Sequence, residues 1–249
     1  MYIDILLLFL LGHVVGDFYL QFSKMAINKE KSIKWVMIHC VVYTIGMLVL
    51  GTITYSSGIL LYVLLVTVLH FLVDVAKYKF VVEYTKKREL TGHIDRNIFF
   101  VDQLLHFISI AMVSYFVVRN GVVTENAIFT DIFATIGIKF ETVIVWTFAI
   151  LIIHKPTNIA ISKLLTPYKP NGEVEERTDN KAGRFVGTIE RIIMLIFLSI
   201  GQYSAIGLVL TAKSIARYDR ISKEPEFAEY YLLGTLLSTL AAIIVSITL

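Results

Sequence analysis

The sequence predicts an all-α fold, a polytopic bundle of transmembrane helices with about six full spans and a re-entrant hairpin. Composition and the length of its apolar runs carry that expectation. Of the 249 residues 56% are hydrophobic and only 17% are charged, with a mean hydropathy of +0.72, far more apolar than a soluble domain. Apolar stretches of about 18 or more residues recur along the chain, close to the roughly 20 that a helix needs to cross about 30 Å of hydrocarbon. Backbone polar groups meet no water there, so they must be satisfied within helices.

The first span covers 3–22. It has no basic leader and no small-residue cleavage site, so it reads as a retained helix rather than a secretion signal. The connection after it, SKMAINKEKSIK, carries Lys24, Lys29, Lys31 and Lys34 against one acid, which assigns it to the cytoplasmic side and the N-terminus to the outside. A second span over 35–50 leads to the neutral turn TITYSSG, and a third runs over 59–77. The basic segment that follows holds Lys77, Lys79, Lys86, Lys87, Arg88 and Arg96, and its first part, KFVVEYTKKREL, is expected to lie as an amphipathic interfacial helix. A fourth span over 98–118 goes outward to the polar stretch RNGVVTENAIFTD, read as an external loop.

That loop divides the chain into a four-helix bundle, 1–120, and C-terminal membrane helices, 121–249. A fifth span over 140–153 ends at HKPTN, where Pro156 is expected to kink or restart the helix by deleting a backbone donor. The polar segment PYKPNGEVEERTDNKAGR follows as a cytoplasmic loop. The stretch 185–216 is too long for one comfortable span and too short for two. It reads as a re-entrant hairpin broken near Gly201, as two short tilted spans or as one long tilted helix. The hairpin is preferred, because it keeps Arg217, Arg220 and Lys223 inside. A last span covers 227–247.

The net charge of +3 is small and the basic residues serve topology, so nothing points to nucleic acid. The one cysteine, Cys40, has no intrachain disulfide partner and reads as packing.

Ionisable residues inside spans are rare, because each costs on the order of 2.5 to 3.5 kcal/mol at a helix centre. Here they recur: His13 and Asp17 in the first span, His39 in the second, His70 and Asp74 in the third, Asp102 and His106 in the fourth. In each of three of these helices a His and an Asp stand four residues apart, so both project from one face. Depth agrees as well. Asp17 lies seven residues before Lys24, His39 five after Lys34, Asp74 three before Lys77 and Asp102 six after Arg96, all within the cytoplasmic half at about 1.5 Å per residue. A weak internal repeat of the first two helical hairpins, HVVGD then His39 and HFLVD then DQLLH, would place two half-sites around one axis.

Four imidazoles and three carboxylates are a ligand set for a divalent transition metal, Zn or Mn foremost, as one or two ions. Gln21 and Gln103 stand where they would hold ligands or waters in place. The plainer alternative is interhelical pairing without metal. His93, in a polar segment, and His154, beside Pro156, read as surface or local backbone contacts.

The segments GHVVGDFYLQ, HFLVDVAKYK and VDQLLH, with His39 between them, resemble the signature of a bacterial membrane family, the domain of unknown function 3307. AGRFVGTIER, AIGLVLTAKSIARY and EYYLLGTLLS extend the likeness into the second half. The resemblance implies a bacterial inner-membrane setting and no particular activity.

From the residues, the expected function is a membrane-embedded metal-dependent hydrolase acting from the cytoplasmic side. Asp17, Asp74 and Asp102 are its candidate catalytic groups. Its expected substrate is a lipid-linked or phosphorylated amphiphile, with Arg191, Lys213 and Arg217 as anion partners and membrane lipids around it. A metal or proton-coupled transporter would use the same intramembrane His and Asp. A non-enzymatic sensor or assembly subunit is the third class. The dry runs ILLLFLLG and ILLYVLLVTVL beyond His13 and His70 favour the enzyme.

Overall fold

The computed structural model describes residues 2–121, 123–169 and 179–249, with the side chains of 179–181 left aside. Among them helix dominates, and the single β contact is an isolated bridge between Tyr55 and Glu125. Six helical stretches are long and apolar enough to cross a membrane: Tyr2–Leu20, Ile33–Thr54, Ser57–Thr85, Gly92–Asn120, Phe140–Tyr168 and Pro225–Ser246. The described residues form two compact units, Met1–Phe148 and Ala149–Leu249.

In the first unit α1 (Tyr2–Val14), α3 (Ile33–Thr54), α4 (Leu60–Thr85) and α5 (Gly92–Asn120) form a four-helix ring. α1 touches α3 and α5, and α4 touches the same two. Each later helix buries one stripe at three- and four-residue spacing: His39, Tyr43 and Met47 on α3; Val66, His70 and Asp74 on α4; Asp102, His106, Ile110 and Val113 on α5. The opposite faces are apolar and exposed, with Val41, Ile45 and Val49 on α3, Leu61, Leu65 and Leu72 on α4, and Leu104, Ile108 and Met112 on α5. A bundle with polar groups inside and aliphatic groups outside is built for hydrocarbon surroundings.

Several sequence expectations change. The interfacial helix expected after residue 77 is the continuation of α4, which runs to Thr85. No Gly or Pro interrupts KFVVEYT, so extending the backbone ladder costs less than breaking it. The stretch expected as an external loop contains α6 (Ala127–Ile136), whose first turn is capped by Asn126 Oδ1 accepting from the Ile128 N–H at 3.2 Å and which ends at Gly137, φ +77°. A short α2 (Ser23–Lys29) occupies the first basic connection and packs on α3 through Met25, which is fully buried.

α7 (Phe140–Leu165) passes through Pro156 without ending. Proline withholds the N–H that Ile152 O would accept and crowds the next turn. Thr157 Oγ donates to Ile152 O at 2.7 Å and Arg191 Nε to Ile153 O at 3.0 Å, so both freed carbonyls are served.

In the second unit the 185–216 stretch is two helices, α8 (Asp179–Ser199) and α9 (Tyr203–Ala216), folded against each other. The break is at Gly201, φ +72°, where Gln202 N donates to Phe197 O at 2.8 Å. One long tilted helix is therefore ruled out. α10 (Tyr218–Lys223) and α11 (Pro225–Ser246) complete the unit, and α11 packs on α8 and α10. Part of the polar segment expected as a loop, from Asp179 on, is helical, and 170–178 lie outside the described residues.

Candidate metal centre

The end of the first span sets the geometry. α1 gives way to a π-helical turn, Val15–Leu20, which carries Asp17, and the wider turn changes its aim relative to His13. His13 Nε2 is 3.8 Å from Asp17 Oδ2, while Asp17 Oδ1 faces across the bundle to His39 Nε2 at 3.1 Å. Gly16 lets Tyr43 come close, for a Cβ there would strike the Tyr43 ring. That ring stacks on His70, with centroids 3.7 Å apart and planes 3° from parallel.

Four donor atoms converge from three helices. His39 Nε2 and His70 Nε2 are 3.2 Å apart. Asp17 Oδ1 lies 3.1 Å from the first and 3.5 Å from the second, and Asp74 Oδ2 lies 3.4 and 3.5 Å from the same two. A tetrahedral ion with bonds of about 2.0 to 2.2 Å has ligand-to-ligand edges of about 3.3 to 3.6 Å. These five distances fall at or just under that length, and the groups of mutually close donors include Asp17, His39 and His70, and Cys40, His70 and Asp74. Two imidazole nitrogens facing each other this closely need a cation or a shared proton between them, since two bare lone pairs repel.

A second group lies beside the first. His106 Nε2 is 3.5 Å from Asp102 Oδ1 and 4.0 Å from Asp74 Oδ1, and its ring stacks on His70 with centroids 4.4 Å apart. All seven side chains are buried, from 0% exposed at His39 to 9% at Asp17. Several of their polar atoms have no hydrogen-bond partner: His13 Nδ1 and Nε2, His39 Nδ1, His70 Nδ1, His106 Nε2 and Asp102 Oδ1. Buried groups of this kind ordinarily find partners; of these atoms His106 Nε2 and Asp102 Oδ1 face each other as a candidate ligand pair, while the four converging donors pair with one another or with Lys29.

Two lysines border the cluster. Lys29 Nζ on α2 is 3.2 and 3.1 Å from the two oxygens of Asp74, and Lys77 Nζ on α4 is 2.8 Å from Asp102 Oδ2. Gln103 also donates to Asp102 Oδ2, at 3.2 Å. Burial works against the Lys29 ammonium, but the Asp74, Asp17 and Asp102 carboxylates outweigh it and raise its pKa. With neutral imidazoles, three carboxylates and two ammonium groups leave one negative charge. One bound proton would cancel it; one divalent ion would reverse it.

Residues 5–133 match the family described as a protein of unknown function, DUF3307. The chain belongs to this family. The stretch matched to DUF3307 contains every residue of the His/Asp cluster, together with Lys29 and Lys77, and stops before α7. No curated protein and no solved structure matches the chain.

The structure brings together all seven residues that the sequence singles out for metal, and the three expected to hold an anion are differently engaged. Arg191 is 2% exposed and donates to Ile153 O, Ser238 Oγ at 3.0 Å and Asn158 Oδ1 at 2.7 Å. Its guanidinium is committed to carrying α7 past Pro156 and is not presented to an anion. Lys213 pairs with Glu190 at 2.6 Å, and Arg217 is exposed. Cys40, read as packing, lies with Sγ 3.9 Å from Asp74 Oδ2. Lys29, Lys77 and Tyr43 were passed over by sequence reasoning. The lysines look like topology signals and the tyrosine like one aromatic among many. Only the four-residue periodicity linking His39 and Tyr43 hinted at a shared face.

Proposed function

We propose that the first unit is a membrane-embedded, metal-dependent hydrolase acting from the cytoplasmic side of a bacterial inner membrane, with the N-terminus outside. The observation that carries the metal is the set of distances, 3.1–3.5 Å, from Asp17 Oδ1 and Asp74 Oδ2 to His39 Nε2 and His70 Nε2 and between those two imidazoles. Two imidazoles and two carboxylates at tetrahedral spacing favour zinc over manganese, which prefers more oxygen ligands. A metal ion held in this cluster with one coordination place left open would supply a water of lowered pKa and would polarise a carbonyl or phosphoryl oxygen. The protein's own contribution is to exclude bulk water, to hold the carboxylates in place and to offer as proton acceptor whichever of Asp17, Asp74 and Asp102 is not taken as a ligand.

Access supports an enzyme over a channel-like path. Beyond the cluster toward the start of α1, the buried residues are mainly apolar, Ile5, Leu8, Phe9, Met47, Val63, Val66, Ile110 and Val113 among them, and the hydroxyls of the buried Thr54, Thr67 and Ser114 donate to carbonyls of their own helices. At the other end stand two partly exposed ammonium groups, Lys29 at 11% and Lys77 at 21%. A lipid-linked or phosphorylated amphiphile, its chain in the bilayer and its anionic head group at these lysines, suits that polarity.

The test is metal analysis of detergent-purified protein, wild type beside His70→Ala and Asp74→Ala, followed by hydrolysis of a phosphorylated lipid. Stoichiometric zinc in the wild type, lost in both variants together with phosphate release, is the expected result. Absence of transition metal from every sample overturns the metal reading. Metal with uptake of the ion into proteoliposomes and no hydrolysis replaces the enzyme with a transporter.

A further inference from the structure

Asp74 turns its two carboxylate oxygens to different neighbours. Oδ2 faces His39 and His70, and Lys29 is shared between both oxygens. Oδ1 lies on the side of His106 Nε2, at 4.0 Å, and is one of three donors with Asp102 and His106. Of that second group, Asp102 Oδ1 and His106 Nε2 are both buried and face each other at 3.5 Å, with no closer partner. The other oxygen of Asp102 is occupied by Lys77 and Gln103. Those two donors fix the carboxylate so that Oδ1 faces the imidazole, the arrangement that outer partners impose on ligands.

We infer that Asp74 bridges two metal positions, the second formed by Asp74 Oδ1, Asp102 Oδ1 and His106 Nε2, and that Lys29 on α2 is a tethered cation that competes for it. This rests on the metal reading of the first position. The two positions differ in kind. The first is approached by four protein donors; the second has three and leaves a coordination place for water or substrate, as catalytic sites do. Paired ions bridged in this way clamp the attacking and leaving oxygens of a displacement, which fits a phosphorylated substrate.

Lys29 decides when the second position fills. Its ammonium straddles the carboxylate, 3.2 Å from Asp74 Oδ1 and 3.1 Å from Oδ2, and like charges so close in a buried site exclude each other; the first position keeps Asp17, His39 and His70 without Asp74, so the competition falls hardest on the second, which has only Asp102 and His106 besides. The lysine is delivered by α2, a seven-residue helix whose one buried side chain is Met25. A helix that short has little stability of its own, so its hold rests on Met25 and on the Asp74 pair. Loading the second ion therefore releases Lys29 from Asp74 and leaves its ammonium free at the mouth of the cluster for an anionic head group.

The experiment titrates Mn²⁺ and, separately, Zn²⁺ into metal-stripped full-length protein in detergent, counting bound metal and recording the paramagnetic resonance spectrum of the manganese form. Wild type, Lys29→Met, Asp102→Asn and His106→Gln are compared. The expected result is one tight and one weaker ion in the wild type, with the spectrum of a spin-coupled pair at saturation. Asp102→Asn and His106→Gln retain the first ion and lose the second together with the coupling. Lys29→Met tightens the second by about tenfold or more, from removal of the like charge. Saturation at one ion in wild type and Lys29→Met alike, with no coupled spectrum, overturns the bridged pair while leaving the first position standing. Absence of any bound metal in all four overturns both.

Discussion

The close approach of Gly16 to Tyr43 makes a sharp test of how the cluster is held. In Gly16→Ala the new methyl would overlap three carbons of the Tyr43 ring. That ring is 1% exposed and stacked on His70, so it cannot withdraw without pushing an imidazole that faces Asp17, His39 and Asp74. Overpacking of a tight core costs about 1 to 3 kcal/mol, while alanine gains up to about 1 kcal/mol over glycine in helix propensity. The net expectation is a loss of about 1 to 2 kcal/mol, roughly 5- to 30-fold in the folding equilibrium. Denaturant unfolding of the purified protein in mixed micelles measures it, with bound metal as a second readout that should fall in parallel. Gly207→Ala, where no atom lies within 4 Å of the added carbon, isolates propensity and should be neutral or slightly stabilising. Gly12→Ala meets the end of the Met47 side chain, which bends readily, and should cost less than Gly16→Ala. If Gly16→Ala unfolds at the same denaturant concentration as wild type and keeps its metal, the Tyr43 stack does not position His70. Replacing Tyr43 by Leu in the same chain should restore stability if the clash is the cause.

Other predictions concern the parts around the centre. Thr157→Val removes the hydroxyl that serves Ile152 O and should destabilise by about 1 to 3 kcal/mol, the cost of an orphaned buried carbonyl. Pro156→Ala in the same chain restores a backbone N–H and should recover most of that loss; equal stability of the single and double variants would disprove the assignment. Tyr55, between two spans, has its phenol pushed above the ordinary range by burial and then by the Glu125 carboxylate. The stability that follows from this is fully present below the unfolded value of about 10 and is lost as pH rises beyond it. Tyr55→Phe should therefore unfold with a flatter alkaline decline, and identical slopes above that pH would count against the linkage.

Legibility from the sequence followed from how each feature is encoded. The spans were readable because apolar length is local, and so was the cluster, because His and Asp four residues apart share a helix face wherever the helix sits. The hairpin break at Gly201 could be anticipated from a glycine in an apolar run. The continuation of α4 through KFVVEYT was misread because basic residues at a membrane boundary resemble an interfacial segment whether or not the helix goes on. Pro156 was misread for another reason. Its cost is local, but the relief comes in part from Arg191, 35 residues later, and no local pattern reports that.

By itself the sequence determined that this chain is a helical membrane protein and that seven ionisable residues share a depth, since composition, helical period and distance from flanking lysines are properties of segments. Only the tertiary structure decided which atoms meet: that Asp17 turns from His13 toward His39, that Asp74 divides its oxygens between two groups, and that Lys29 and Lys77 are partners of carboxylates. Those outcomes depend on the π turn, on the contact of Gly16 with Tyr43 and on the ring order of four helices. Each is a matter of ångströms between segments far apart in the chain, where an ion distinguishes 3.3 Å from 5 Å and a hydropathy pattern does not.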